Sequence, residues 1–280
     1  MKNSMIGSIK DFAVLNNGLR MPWLGLGVYQ AEDGPEVENA VKYALEVGYR
    51  SIDTASVYGN EIGVGKAIRE SGIPREEIFV TTKVWNEDQR QKRTLAAFEE
   101  SLERLGLDYV DLYLVHWPVK GFYKETWKVM EKILASGRAK AIGVSNFLVN
   151  SLEDILADCK VVPAVNQMEC HPYLLQPELL SFCKSNDIRM EAWSPLMQGN
   201  IVSVSLLKVL ATKYKKTPAQ ITLRWNLQQG IVTIPKSVTP SRIKENSEIF
   251  DFEISAHDML ALDALDKGKR FGPDPADFSF

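Results

Sequence analysis

The chain has 280 residues, 45% of them hydrophobic and 25% charged, with a formal net charge of −3. That length fits one barrel of eight strand-and-helix units, which takes about 250 residues, or two small domains, and it can bury a core without disulfide staples. The mild charge and a pI near 5.8 exclude a general attraction to nucleic acid or anionic membranes, and no uncharged apolar run is long enough to cross a bilayer.

The opening text, "MKNSMIGSIKDFAVLNNG", lacks the continuous apolar region of a secretory signal, so a soluble cytoplasmic protein is expected. "FAVLN" and "LRMPW" flank Asn17-Gly18, a two-residue turn signal that predicts a small capping hairpin. From there strand-like runs and amphipathic helical stretches alternate. "WLGLGVY" precedes "EVENAVKYALEVG", "YRSID" precedes "EIGVGKAIRESG", and "EIFVTTKV" precedes "TLAAFEESLERLG". "YVDLYLVHW" leads to "YKETWKVMEKILASG", "AKAIGVSNF" to "SLEDILADC", "PAVNQM" to "QPELLSFCKSND", "RMEAWSPL" to two helical stretches, and "IVTIPKS" to "PSRIKENSEIF". Apolar runs of this kind read as parallel strands buried on both faces, and several helices stop at glycine: Gly48, Gly72, Gly106 and Gly137. With no linker or composition break, the expectation is one (β/α)8 TIM barrel domain over residues 1–280. The N-terminal hairpin and two extra helices, Ser205 to Tyr214 and His257 to Leu265, would decorate it.

Three cysteines (Cys159, Cys170, Cys183) without CxxC spacing, and three histidines without an HExxH arrangement, give neither a disulfide framework nor a metal site. Cys170-His171 shows no base and orienting group for a thiol nucleophile, so these residues are read as packed.

A parallel barrel gathers its chemistry at the C-terminal ends of its strands. Just past the second strand stand Asp53 and Tyr58, at the third Lys83 and Trp85, and at the fourth His116 and Trp117. The fifth gives Ser145 and Asn146, the sixth Gln167, the seventh Trp193 and Ser194, the eighth Lys236 and Ser237. Singly each has an ordinary structural reading, as helix cap, rim aromatic or hydrogen-bonded core histidine. Together they are hard to bury without a purpose, since unpaired polar groups in an apolar interior cost several kcal/mol. Their chemistry is also complementary. A phenol is a poor proton donor near pH 7 unless an ammonium stabilises its phenolate, so Lys83, held by Asp53, is expected to lower the pKa of Tyr58. His116 would orient a carbonyl oxygen shared with Tyr58. Such a set polarises a C=O and protonates the alkoxide, which is half of a carbonyl reduction.

The other half needs a hydride source. In "IPKSVTPSRIKEN", residues 234–246, Thr239 is placed as a helix N-cap with Pro240 at the first helical position, flanked by Lys236 and Arg242. A solvated basic loop is the plain reading; its place at the eighth strand end favours a phosphate clamp. "GNEIGVGKAI" satisfies neither a dinucleotide fingerprint nor a P-loop, and its Gly63 and Gly65 are read as permitting helix packing against the barrel.

"GYRSIDTASVYGNE", "KAIGVSNF" and "IPKSVTPSRIKEN", in this order and separation, resemble the three signature segments of the aldo-keto reductase superfamily, and the likeness runs from about residue 11 to 275. The resemblance implies an NADPH/NADP+-dependent enzyme on a (β/α)8 barrel, with the tetrad Asp53, Tyr58, Lys83 and His116 and Tyr58 as general acid. It further implies that Ser145, Asn146 and Gln167 hold the nicotinamide carboxamide, and that Trp193 stacks on the nicotinamide where many relatives carry Tyr. Ser194 and Leu196 would follow the pyrophosphate, Lys236, Ser237 and Arg242 the 2′-phosphate, and Glu245 and Asn246 the adenine. Tyr29, Trp85, Trp117 and His116 would line the substrate mouth. The short text after "HWP" and the brief tail "RFGPDPADFSF" are similar to bacterial glyoxal or methylglyoxal reductases of the 2,5-diketogluconate reductase branch, which implies an open pocket for aldehydes and small dicarbonyls. The partner expected is a small carbonyl compound, and the protein is expected to be a monomer. Two alternatives remain open on residues alone: an NADPH-binding sensor or regulatory subunit with little turnover, and a phosphate-binding isomerase or an aldolase using a Schiff-base lysine.

Overall fold

The computed structural model describes residues 6–280. An antiparallel pair comes first, β1 (Phe12–Val14) with β2 (Arg20–Pro22). The turn is one residue longer than Asn17-Gly18 alone predicts. Leu15 N–H bonds Leu19 O at 2.9 Å, leaving Asn16, Asn17 and Gly18 as the loop, and Gly18 takes φ 85°, the left-handed position of a three-residue hairpin loop.

Eight parallel strands follow: β3 (Leu26–Gly27), β4 (Ser51–Asp53), β5 (Phe79–Val84), β6 (Val110–Val115), β7 (Ala139–Ser145), β8 (Val165–Glu169), β9 (Arg189–Trp193) and β10 (Val232–Thr233). Each hydrogen-bonds its sequence neighbour, and parallel bridges Leu24 to Thr233 and Gly27 to Lys236 join first to last. Gly25 N–H reaches Thr233 O at 3.0 Å and Thr233 N–H reaches Trp23 O at 3.1 Å, so the sheet closes into a barrel. β10 is much shorter than the run "IVTIPKS", because Pro235 has no N–H to continue a ladder.

The surrounding helices are α1 (Pro35–Glu46), α2 (Glu61–Glu70), α3 (Asn86–Arg90), α4 (Thr94–Leu105), α5 (Tyr123–Ala135), α6 (Val149–Leu156), α7 (Pro177–Ser185), α8 (Ser205–Tyr214), α9 (Pro218–Gln228), α10 (Pro240–Ser247) and α11 (Ala256–Asp263). The two extra helices are α8 and α11; the five-residue α3 adds a third. In α4 the buried positions Ala97, Phe98, Ser101, Leu102 and Leu105 form one stripe facing the sheet. Gly65 packs helix on helix and not on the barrel: a Cβ there would lie 1.9 Å from the Leu105 carbonyl oxygen of α4. Among the described residues no helix is long and apolar enough to cross a membrane.

Strand alternation sorts the barrel interior by height. Phe79, Leu112, Leu114, Ala141, Val165 and Val232 form an apolar lower layer, and the hairpin residues Ala13, Leu15 and Met21 pack onto it as a floor. Further along the same faces the interior turns polar: Thr81 and Lys83 two and four residues beyond Phe79, and Gln167 two beyond Val165.

Candidate active site

Each tetrad residue is placed by a strand end. Asp53 ends β4, Lys83 lies one residue before the end of β5, and His116 follows β6, its N–H extending the ladder to Val84 O at 3.2 Å. Tyr58 closes a 3-10 turn, Ser56–Tyr58, fixed by the Ser56 hydroxyl donating to Lys83 O at 3.0 Å. Lys83 is completely buried, which requires its charge to be compensated. Its Nζ donates to Asp53 Oδ1 at 2.6 Å and to the Thr54 carbonyl at 2.8 Å, and lies 3.4 Å from Tyr58 Oη. Burial disfavours the ammonium, but Asp53 and Tyr58 outweigh it and hold the lysine pKa above its ordinary value.

The phenol behaves differently from the sequence expectation. Burial raises the Tyr58 pKa; Lys83 pulls it down as anticipated, yet burial with Asp53 prevails and the value is pushed up to about 12. Tyr58 therefore carries its proton throughout the neutral range. Burial first, and then the Lys83 charge, drive the pKa of His116 well below its usual range. A neutral imidazole cannot act as the stronger acid, so the group with a proton to give is the phenol. The two rings meet edge to face, with centroids 5.7 Å apart.

Beside the tetrad, Ser145, Asn146, Gln167 and Trp193 form one hydrogen-bonded group. Ser145 Oγ donates to Gln167 O at 2.9 Å, and Asn146 Nδ2 donates to His116 O at 3.0 Å and Ser145 Oγ at 3.1 Å. The Trp193 indole N–H donates to Asn146 Oδ1 at 2.9 Å, a bond that defines the ring's position where a phenol would have no N–H. Asn146 and Ser194 both hold left-handed backbone, φ 64° and 48°, a strain that marks a shaped site in a non-glycine residue. Leu196 is partly buried and packs on the core beyond Ser194.

A second cluster sits at the lip formed by β10 and α10. Thr239 is the N-cap residue with Pro240 at the first helical position, but the threonine hydroxyl makes no cap bond; instead Ser237 Oγ accepts from Thr239 N–H at 3.1 Å. Lys236 and Arg242 are exposed, and among the described residues neither pairs with a carboxylate. Two cations without a carboxylate partner beside a helix start could hold an anion such as a phosphate. On α10 the Glu245 Oε1 accepts from Thr217 Oγ1 at 2.8 Å, bridging α10 to the start of α9, with Asn246 buried next to it.

Tyr29, 56% exposed, tilts against Tyr58 at 5.0 Å between centroids. Trp85 stands edge to face with His116 at 5.1 Å. Residues that the sequence reading passed over complete this wall. Phe280 stacks parallel on Trp85 at 5.8 Å and meets Trp117 edge-on at 5.2 Å, and Phe278 lies 5.1 Å from Trp117. The tail is anchored where Phe271 and Gly272 donate to Glu169 at 2.7 and 3.2 Å, a carboxylate that also bonds His171. That pairing, with burial pushing the Cys170 thiol pKa far up, makes Cys170-His171 a packed structural pair.

The sequence model of the aldo/keto reductase family matches residues 23–267. The chain belongs to that family. It is an oxidoreductase barrel, and similarity to curated members extends over almost its whole length. Glyoxal reductase of Bacillus subtilis (strain 168) is 56% identical over 273 residues, covering 98% of this chain and 99% of that one. The methylglyoxal reductase DkgA of Escherichia coli (strain K12) is 48% identical over 268 residues, covering 94% and 96%. Among solved structures, an aldo-keto reductase complexed with NADPH superposes with a TM-score of 0.87 at 37% identity, covering 92% of this reductase and 88% of that chain.

Proposed function

We propose that this protein is an NADPH-dependent reductase of aldehydes and small dicarbonyls of the glyoxal and methylglyoxal type, with Tyr58 as the proton donor. We further propose that it works as one barrel domain, as a monomer in the cytoplasm. The observation that carries the activity is the buried Lys83 ammonium, 2.6 Å from Asp53 and 3.4 Å from the Tyr58 hydroxyl, beside a neutral His116. The substrate class rests on the glyoxal and methylglyoxal reductases similar over the whole chain, and on the compact aromatic mouth of Tyr29, Trp85 and Trp117.

The residues present fit a phosphorylated dinucleotide. Among the described residues Lys236 and Arg242 pair with no carboxylate, Ser237 follows Lys236 at the same lip, and Gln167 uses its Nε2 toward Asp53 and Glu191 while its Oε1 accepts no hydrogen bond. Ser145, Asn146 and Gln167 would hold the carboxamide, the Trp193 face the ring, Ser194 and Leu196 the pyrophosphate, and Arg242 with Lys236 and Ser237 the 2′-phosphate; Glu245 and Asn246 would flank the adenine. Bound there, NADPH would supply the hydride for the carbonyl carbon. The rest belongs to the chain. Tyr58 and the neutral His116 donate hydrogen bonds to the carbonyl oxygen, drawing its electrons away from carbon. As negative charge grows on that oxygen, Tyr58 passes it a proton. The phenolate left behind lies against Lys83, whose ammonium Asp53 and Thr54 O keep in place, and a charge that would otherwise be isolated in the barrel is paired.

Purified protein with NADPH and methylglyoxal should oxidise the cofactor, read as loss of its absorbance. Tyr58→Phe should lower kcat by roughly 10²- to 10⁴-fold while NADPH still binds. Wild-type turnover in that variant would overturn the assignment of the acid.

A further inference from the structure

One buried acid near the tetrad has no part in this mechanism. Glu191 lies in β9, two residues before Trp193 on the same inward face, and has no solvent exposure. Its Oε2 accepts from Gln167 Nε2 at 2.8 Å, and its Oε1 is buried without a partner. The same Gln167 nitrogen donates to Asp53 Oδ2 at 2.8 Å, so one amide bridges two carboxyl groups. The charged groups facing Glu191 are Asp53 from β4 and Lys83 from β5; β8 contributes the Gln167 amide, and β10 pairs Glu191 with the apolar Val232.

Counting charges decides its state. Lys83 is the one cation facing this group and already bonds Asp53, so an ionised Glu191 would be a second buried anion with one oxygen unsolvated. Burial, with Asp53 adding to it, pushes the Glu191 pKa up to about 8. The proton then belongs on the partnerless Oε1, since Oε2 is the acceptor.

We propose that Glu191 is a positioning residue of this site: an interior carboxylic acid holding its proton, which with Asp53 occupies both N–H bonds of Gln167 and leaves Gln167 Oε1 as the atom offered to a ligand. An amide whose two hydrogens are engaged cannot flip, so the ligand meets an acceptor at that point and never a donor. The neutral acid also leaves the Lys83 to Asp53 pair as the only ion pair of the tetrad interior. Ionisation of Glu191 would add a negative charge close to Lys83 and Asp53 and make the Tyr58 proton harder to release.

The inference rests on the reductase reading for its catalytic consequence, and its test has readouts that do not need turnover. In infrared difference spectra of the intact protein at neutral pH, wild type minus Glu191→Gln should contain the carbonyl stretch of a protonated, buried carboxylic acid. A difference showing carboxylate bands instead would overturn the proposal. Glu191→Ala leaves a Gln167 N–H without an acceptor and should weaken NADPH binding about tenfold, whereas Glu191→Gln, which still offers a neutral carbonyl, should recover most of that loss. Equal weakening in both variants would count against a neutral acceptor. In turnover, the decline of wild-type kcat/KM above about pH 8 should be missing from Glu191→Gln, and a decline unchanged in the variant would remove Glu191 from the pH response. A protein that binds NADPH yet reduces no carbonyl would sink the proposed activity and leave the spectroscopic and binding results to judge Glu191 separately.

Discussion

Lys83→Met removes the ammonium on which the site is built while roughly keeping its volume. Asp53 then loses its 2.6 Å partner and retains only the Gln167 amide at 2.8 Å, and the Thr54 carbonyl loses its donor. Removing one member of a buried ion pair costs about 3–5 kcal/mol. At roughly 2–4 °C for each kcal/mol in a chain of this size, the melting temperature should fall by about 6–20 °C. Urea unfolding of both proteins, followed by tryptophan fluorescence, measures this directly. Adding Asp53→Asn, which deletes the orphaned charge, should recover at least part of the deficit. A gap below about 1 kcal/mol, or no recovery in the double variant, would refute the electrostatic account of this pair.

Trp193→Phe keeps an aromatic face but deletes the N–H bonded to Asn146 at 2.9 Å, and should weaken NADPH binding roughly two- to twelvefold in a fluorescence titration; unchanged affinity would mean that this bond does not position the ring. Arg242→Ala should raise the Kd for NADPH about tenfold or more and leave that for NADH nearly unchanged, because only the former carries a 2′-phosphate. An equal effect on both cofactors would contradict the clamp. Gly65→Ala places a methyl group 1.9 Å from the Leu105 carbonyl oxygen and should cost about 1–3 kcal/mol of stability through a forced separation of α2 and α4, read as a lower melting temperature; an unshifted melt would show that the helices separate freely.

Much of this site was legible because a parallel barrel puts function at strand ends, where Asp53, Lys83, His116 and Gln167 are read directly after or within apolar runs. Glu191 escaped because it lies inside "RMEAW" and not at its end. Alternation was the available signal: Arg189, Glu191 and Trp193 share a face, and that face points inward. The direction of the Tyr58 pKa could not be read from residue types, since it depends on how far burial and Asp53 outweigh the attraction of Lys83. The tail was illegible for a different reason. Nothing local links Phe280 to Trp85 or Gly272 to Glu169; these contacts span about a hundred residues or more and exist only once the barrel has closed. Likewise Gly63 and Gly65 announce close packing, but the partner elements, α1 and α4, are known only from three dimensions.

The hairpin that packs under the apolar layer turns the barrel into a vessel with one opening. Everything bound inside must arrive and depart over the same rim. A ligand lying under another could leave only after the upper one had gone.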